Sequence, residues 1–147
     1  NIALLIILSL LPLSFLPGFR ESWWKLSPPV LSNNTPVEAS KWINQNIDSD
    51  EKIFNDYVFG SYFVYAIPDY PVWIDTRFHI YELSTWEDYL SISKGEPGWL
   101  EKLHSYQIEH LILSNDSQKN LLLSLEKNNY YCLVYEDEIA SIFSPCH

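Results

Sequence analysis

Hydrophobic positions divide this chain into one long apolar run and a series of short ones that switch period. The long run, residues 2–19, carries no charge. Past residue 35 the spacing becomes that of a folded domain. Thr35-Pro36-Val37-Glu38 has the make-up of a capping box with proline at the first helical position, and Ala39, Trp42, Ile43 and Ile47 recur at helical intervals. A helix to about Asn46 is expected, ended by Asp48-Ser49-Asp50. Residues 52–55 read as a short buried strand, and the aromatic-rich residues 57–66 as a short helix, with Gly60 at a tight bend or close packing. Pro68 and Pro71 bracket a turn before a second buried strand at 72–75. Ser84 or Thr85 can cap a helix through Tyr89 and Ile92, broken by Gly95-Glu96-Pro97-Gly98. A helix at 99–106, a strand at 110–113 and a helix from Asp116 with Leu121, Leu122 and Leu125 inward follow. Strands at 130–135 and 139–143 meet across Asp137-Glu138.

Strands alternating with helices predict an α/β domain: a small, mainly parallel sheet with helices on both faces and an antiparallel β-hairpin at one edge. About 110 residues are ample for one such domain and too few for two.

The long run is read as a transmembrane helix. Its eighteen residues reach about 27 Å, just short of a hydrocarbon core of roughly 30 Å. Arg20, Glu21, Trp23, Trp24 and Lys25 follow it, the indole and cationic mixture that settles among headgroups. A cleaved signal peptide is the competing reading, but no basic segment precedes the run and no small-x-small site follows it. Pro12 and Pro17 argue against a core helix. The chain begins at Asn1 and has no Met, so a processed product or a piece of a longer membrane protein is expected. The segments are then residues 1–25, the last span with its interfacial flank; 26–35, a linker stiffened by Pro28-Pro29; and 36–147, the α/β domain.

Charge changes the picture next. The net charge is −10, and the first 25 residues are slightly positive, so the domain holds all of the excess. Such a surface repels phosphate backbones, which excludes nucleic acid as the expected partner. It also suits the periplasmic or extracellular side of a membrane better than the cytoplasmic one. Cys132 and Cys146 flank the terminal hairpin; an oxidising compartment would join them, and otherwise they are two unpaired thiols. A Cys146-His147 metal site lacks further ligands. No cofactor is expected.

Ligands of open parallel sheets gather at the carboxyl ends of the strands. Two expected strands deliver Asn55-Asp56 and Asp75-Thr76-Arg77 to that edge, with His79, Tyr81 and Glu82 following. Asn55, Asp56, Tyr62, Asp75, Arg77 and His79 are therefore the candidate ligand-binding residues. Arg77 offers a planar donor fork, the carboxylates accept hydroxyls, and the tyrosines give stacking surfaces for a sugar or phosphate. Paired carboxylates could also work on a glycosidic bond. Alternatively Asp75 and Arg77 pair with backbone and with Asp56 and merely pin the loops. No nucleophile elbow frames a serine, and Gly60 belongs to no phosphate loop. His104 and His110 lie on a helix and a strand without ligand spacing. Asn33-Asn34-Thr35 and Asn115-Asp116-Ser117 match the short glycosylation triplet.

Asn55-Asp56-Tyr57-Val58-Phe59-Gly60-Ser61-Tyr62 and Tyr70-Pro71-Val72-Trp73-Ile74-Asp75-Thr76-Arg77, with the preceding helix from Pro36, carry a resemblance. Residues 36–143 resemble the C-terminal extracytoplasmic domain of bacterial polytopic membrane proteins of glycosyltransferase type. These are similar to the polyprenyl-phosphate-sugar-dependent transferases of the GT-C superfold. The resemblance implies that the catalytic acid lies in the membrane part of the parent protein and that this domain, not itself catalytic, is a lid or acceptor platform. It implies as partners the membrane and a polyprenyl-linked sugar or glycan acceptor. It assigns no role to Asn55, Asp56, Gly60, Tyr62, Asp75 or Arg77 beyond motif membership. The alternative is a membrane-anchored extracytoplasmic interaction module with no enzymatic role.

Overall fold

The computed structural model describes residues 31–146, and a compact unit begins at Asn34. The expected membrane segment, residues 1–25, lies outside the described residues. Among those described, no helix is long and apolar enough to cross a membrane.

Helix α1 (Val37–Asn46) buries Ala39, Ser40 and Ile43 on one side. The expected capping box does not form. The Val37 amide donates instead to the Thr35 carbonyl at 2.8 Å, and Glu38 turns to Lys41 at 2.6 Å. Pro36 sits just outside the helix rather than at its first position. At the far end the Tyr70 hydroxyl donates to the carbonyls of Ile43 and Ile47 at 3.3 and 2.8 Å, closing groups that a helix end leaves open.

Strand β1 (Ile53–Asn55) leads through Asp56 into α2 (Tyr57–Ala66). A single-turn 3₁₀ helix, Phe78–Ile80, precedes α3 (Leu83–Ser93) and α4 (Trp99–Tyr106). Then come β2 (His110–Ser114), α5 (Lys119–Leu125), β3 (Tyr131–Glu136) and β4 (Ala140–Pro145). Neither Ser84 nor Thr85 caps α3, which starts one residue ahead of them with no side-chain cap. Asp116 does not open α5 either. Residues 115–117 turn first, and the Gln118 side chain accepts from the Ser114 amide at 3.0 Å and donates to Ser93 Oγ at 2.9 Å.

The sheet has the order β1-β2-β4-β3. Only β1 and β2 run parallel, Ile53 opposite His110; the other two pairings are antiparallel. The expectation of a mainly parallel sheet is thus corrected to a mixed one, for two reasons. The second strand of the hairpin, not the first, docks on β2. And residues 72–75, expected as another parallel strand, are extended but join no ladder.

Asn55 explains the second point. Its amide nitrogen donates to the Ile74 carbonyl at 2.7 Å, and its amide oxygen accepts from the Trp73 amide at 2.9 Å. One fully buried side chain therefore supplies two of the bonds that a neighbouring strand would make. Gly60 makes that approach possible: a Cβ there would lie 2.0 Å from the Ile74 carbonyl oxygen and 2.8 Å from Asn55 Nδ2. The expected close packing at Gly60 is what the structure has.

Apolar side chains alternate across the sheet as strand pleating requires. Phe54, Leu111, Leu113 and Phe143 face α3, α4 and α5, meeting Tyr89, Ile92, Leu103 and Leu121. Ile53, Ile112, Ala140 and Ile142 face α1 and α2, meeting Ile43, Phe59 and Phe63. Helices cover both faces, as expected. The outer strand β3 is irregular between Leu133 and Tyr135, and Cys132 is joined to Cys146 with Cα atoms 5.0 Å apart. Of the two readings of the cysteines, the disulfide is the one formed.

Candidate functional site

Two carboxylates follow extended segments, and both are almost wholly buried at 1% exposure. Their surroundings differ. Asp56 ends β1 and caps α2, its Oδ1 accepting from the Val58 amide at 2.8 Å. Its Oδ2 accepts from Ser117 Oγ at 2.7 Å and from the Tyr89 hydroxyl at 3.4 Å. Burial first, and the Asp56 charge second, push the Tyr89 hydroxyl pKa far up, so that it stays a donor.

Asp56 lies at the wall of a cleft of about 230 Å³ with Ser114, Asp116, Ser117 and Glu138. The cleft sits beyond the carboxyl ends of β1 and β2, where a ligand of such a sheet is expected.

Asp75 makes a different knot. Its Oδ1 accepts from the Arg77 amide at 2.7 Å and Nε at 3.1 Å, and Oδ2 accepts from Nε at 3.0 Å and Nη2 at 2.5 Å. The hydrogen bonds from Arg77 hold the Asp75 carboxyl at about 2, against the upward pull of burial. Burial first, and then the nearby Asp75, raise the Tyr81 pKa. The Arg77 side chain itself remains 56% exposed. Ser61 on α2 meets Thr76 at 2.6 Å, fixing the loop against the helix.

Beyond Arg77 the surface turns apolar. Phe78, Ile80 and Leu83 are all more than half exposed. Phe78 stacks on Trp86 with ring centroids 4.6 Å apart, and Trp86 is ringed by Tyr57, Tyr81 and Tyr89. The Trp86 indole N–H is the one buried side-chain polar atom among the described residues with no partner. A guanidinium beside aromatic faces is suited to a ring of hydroxyls: the fork bonds oxygens, and the flat ring covers the apolar side of the sugar.

The structure therefore brings Asp75 and Arg77 together and places His79, exposed, in the 3₁₀ turn that follows them. Asn55 lies behind them as the bracket of residues 73 and 74. Asp56 faces the separate cleft, whose walls include neither Asp75 nor Arg77. Tyr62 packs with the apolar cluster on the α1/α2 face. Sequence reasoning missed Ser117 and Tyr89 as partners of Asp56. Ser117 lies 61 residues away, and only the pairing of β1 with β2 brings it near. The triplet at Asn115 has a structural use: its amide donates to the Asp137 carbonyl at 2.8 Å and accepts from Ser141 Oγ at 2.7 Å, bracing the hairpin turn.

With that geometry in place, comparison with solved structures gives a likeness in fold. The C-terminal globular domain of an oligosaccharyltransferase from Archaeoglobus fulgidus superposes with a TM-score of 0.59. It covers 80% of this chain and 100% of that one, at 9% sequence identity. This chain shares that domain's fold. No family model matches the sequence, and no curated protein does so either.

Proposed function

We propose that this chain supplies the extracytoplasmic C-terminal domain of a membrane glycosyltransferase. In this reading the sugar comes from a polyprenyl-phosphate donor and the catalytic residues lie in the membrane part. Residues 1–25 are the final span, 26–35 the linker and 36–147 an accessory binding platform. The observation that carries the reading is the fold shared with the whole of an oligosaccharyltransferase C-terminal globular domain.

Within the platform, the surface of Arg77, His79 and Tyr81 takes the glycan of donor or acceptor, with Phe78 as a stacking face. Asp75 orients the Arg77 fork, and Asn55 and Asp56 hold the two loops that frame it. Tyr62 supports α2 from behind. Replacing Arg77 by Ala in the full-length membrane protein should slow sugar transfer from a polyprenyl-linked donor by about tenfold, the worth of one charge-assisted fork. The melting temperature should also drop, because buried Asp75 loses the charge that answers it, so transfer is measured well below the variant's unfolding transition. Unchanged transfer removes Arg77 from the site, and transfer by no variant at all removes the transferase reading.

A second reading draws on a specific observation: Asp75 has all its partners within its own loop. In it the polar edge only holds the fold, and the domain is a membrane-anchored interaction module. Arg77→Ala would then lower the melting temperature and leave glycan binding untouched.

A further inference from the structure

We propose that Glu51, Glu109 and His110 form a site for a divalent transition metal at the amino-terminal end of the parallel pair. This end of the strands is opposite to Asp56, and the proposal does not depend on the transferase reading.

The backbone brings the three residues together. Ile53 of β1 lies opposite His110 of β2, and the amides of Glu109 and His110 both donate to the Lys52 carbonyl, at 2.9 and 3.2 Å. Glu51 is thereby set against the start of β2. One ligand atom from each of the three side chains lies within 4.8 Å of the others. The closest pair, His110 Nε2 and Glu51 Oε2, is 3.1 Å apart. Bonds of about 2.0–2.2 Å to one ion put neighbouring ligands roughly 3–3.5 Å apart, so that pair is already placed. Glu109 is exposed and can swing in.

The support around the ligands is that of a metal site rather than of a chance ion pair. His110 is buried, and its Nδ1 meets Ser144 Oγ of β4 at 2.7 Å, which fixes the ring and turns Nε2 toward the carboxylates. The Glu51 carboxylate is oriented in turn by the Asp48 amide at 3.0 Å. The three residues and Asp48 line an open cleft of about 470 Å³, so an ion has a way in and water can complete its shell. One imidazole with two carboxylates selects Zn²⁺, Mn²⁺ or Co²⁺ over Ca²⁺ or Mg²⁺, which favour all-oxygen sites. With a net charge of −10 the chain attracts cations generally. The ion would tie the start of β1 to the start of β2.

The test is metal titration of the full chain in detergent. Calorimetry with ZnCl₂ should give one site per chain, and CoCl₂ should give the visible d–d bands of a low-symmetry nitrogen–oxygen site. Glu109→Gln changes an exposed side chain, so it leaves folding alone and should weaken zinc binding at least tenfold, and Ser144→Ala should weaken it by about 10–100-fold through loss of the ring's orientation. His79→Ala should leave the zinc affinity unchanged. Equal zinc affinity in wild type and Glu109→Gln overturns the proposal, as does a cobalt spectrum of hexa-aqua type. In that event His110 and Glu51 are an ion pair only.

Discussion

The loop after β1 and the loop after residues 72–75 each bury one aspartate to the same degree, yet they are built on opposite terms. Asp56 is surrounded by neutral donors: a helix-terminal amide, a serine and a tyrosine. Asp75 is met by a guanidinium. Burial of a carboxylate is costly unless its charge is answered. The first loop answers it with the amide end of a helix and hydroxyls, and leaves the aspartate at the wall of a cleft. The second answers it with a full opposite charge, which leaves the aspartate fully engaged and presents the back of the arginine to solvent. Equal burial therefore gives unequal availability: at one site the acid faces the cleft, at the other the base faces the surface.

Gly60 joins the two loops, and changing it should have the largest effect. In Gly60→Ala the new Cβ meets the Ile74 carbonyl, a backbone group that cannot rotate aside. A loss of about 3 kcal/mol is expected, seen in calorimetry as a fall in melting temperature of roughly 10–20 °C. A fall under about 3 °C would mean that α2 and residues 72–75 move independently, and the comparison would lose its common frame.

The next effect separates the loops. In Asp56→Asn the amide oxygen keeps the bond from the Val58 amide, while the amide nitrogen meets the Ser117 and Tyr89 hydroxyls, which must turn to accept, so the change should cost about 1 kcal/mol. Asp75→Asn removes the ionic partner of Arg77 and should cost about 2 kcal/mol. Equal losses in urea unfolding would show that charge does not distinguish the two sites.

The acid limb probes the Asp75–Arg77 pair without a mutation. Asp75 titrates at about 2 when folded, below the ordinary value of 3.8. The stability it contributes is present above the unfolded pKa and is lost as pH falls from about 4 to about 2. Because Arg77 is more than half exposed and screened, the loss should be on the order of 1 kcal/mol. It should vanish in Asp75→Asn.

Some of this could be seen in the chain itself. The bounds of α2 and α4 follow from dense aromatics and from Gly-Pro punctuation, and the hairpin from the Asp137-Glu138 break between apolar runs. Residues 72–75 have the composition of a buried strand because Ile74 and Asp75 are buried and Val72 and Trp73 half-buried; nothing local says that Asn55, rather than a neighbouring backbone, takes up their polar groups. Helix starts at Thr35, Ser84 and Asp116 were expected from residue type, but the helices begin at Val37, Leu83 and Lys119, none of them with a side-chain cap. Asp75 and Arg77 were expected to pair with backbone and with Asp56; Arg77 pairs with Asp75 instead, and Asp56 takes Val58, Tyr89 and Ser117. The meeting of Glu51 with Glu109-His110 was not, since it depends on a register between strands 57 residues apart, Ile53 against His110. The cysteine pairing was left open for the same kind of reason and is decided by the register that sets Cys132 against Ser144.

The strand order carries a consequence for biosynthesis. Of the four described strands, the last in chain order, β4, takes an interior place between β2 and β3, and its first four residues are buried. Until it emerges, β2 has β1 on one side and an open row of amides and carbonyls on the other. A stop codon between α5 and β4 would therefore not trim the domain but halve its sheet. Nascent chains of this protein must keep that row shielded from other chains until β4 has been translated.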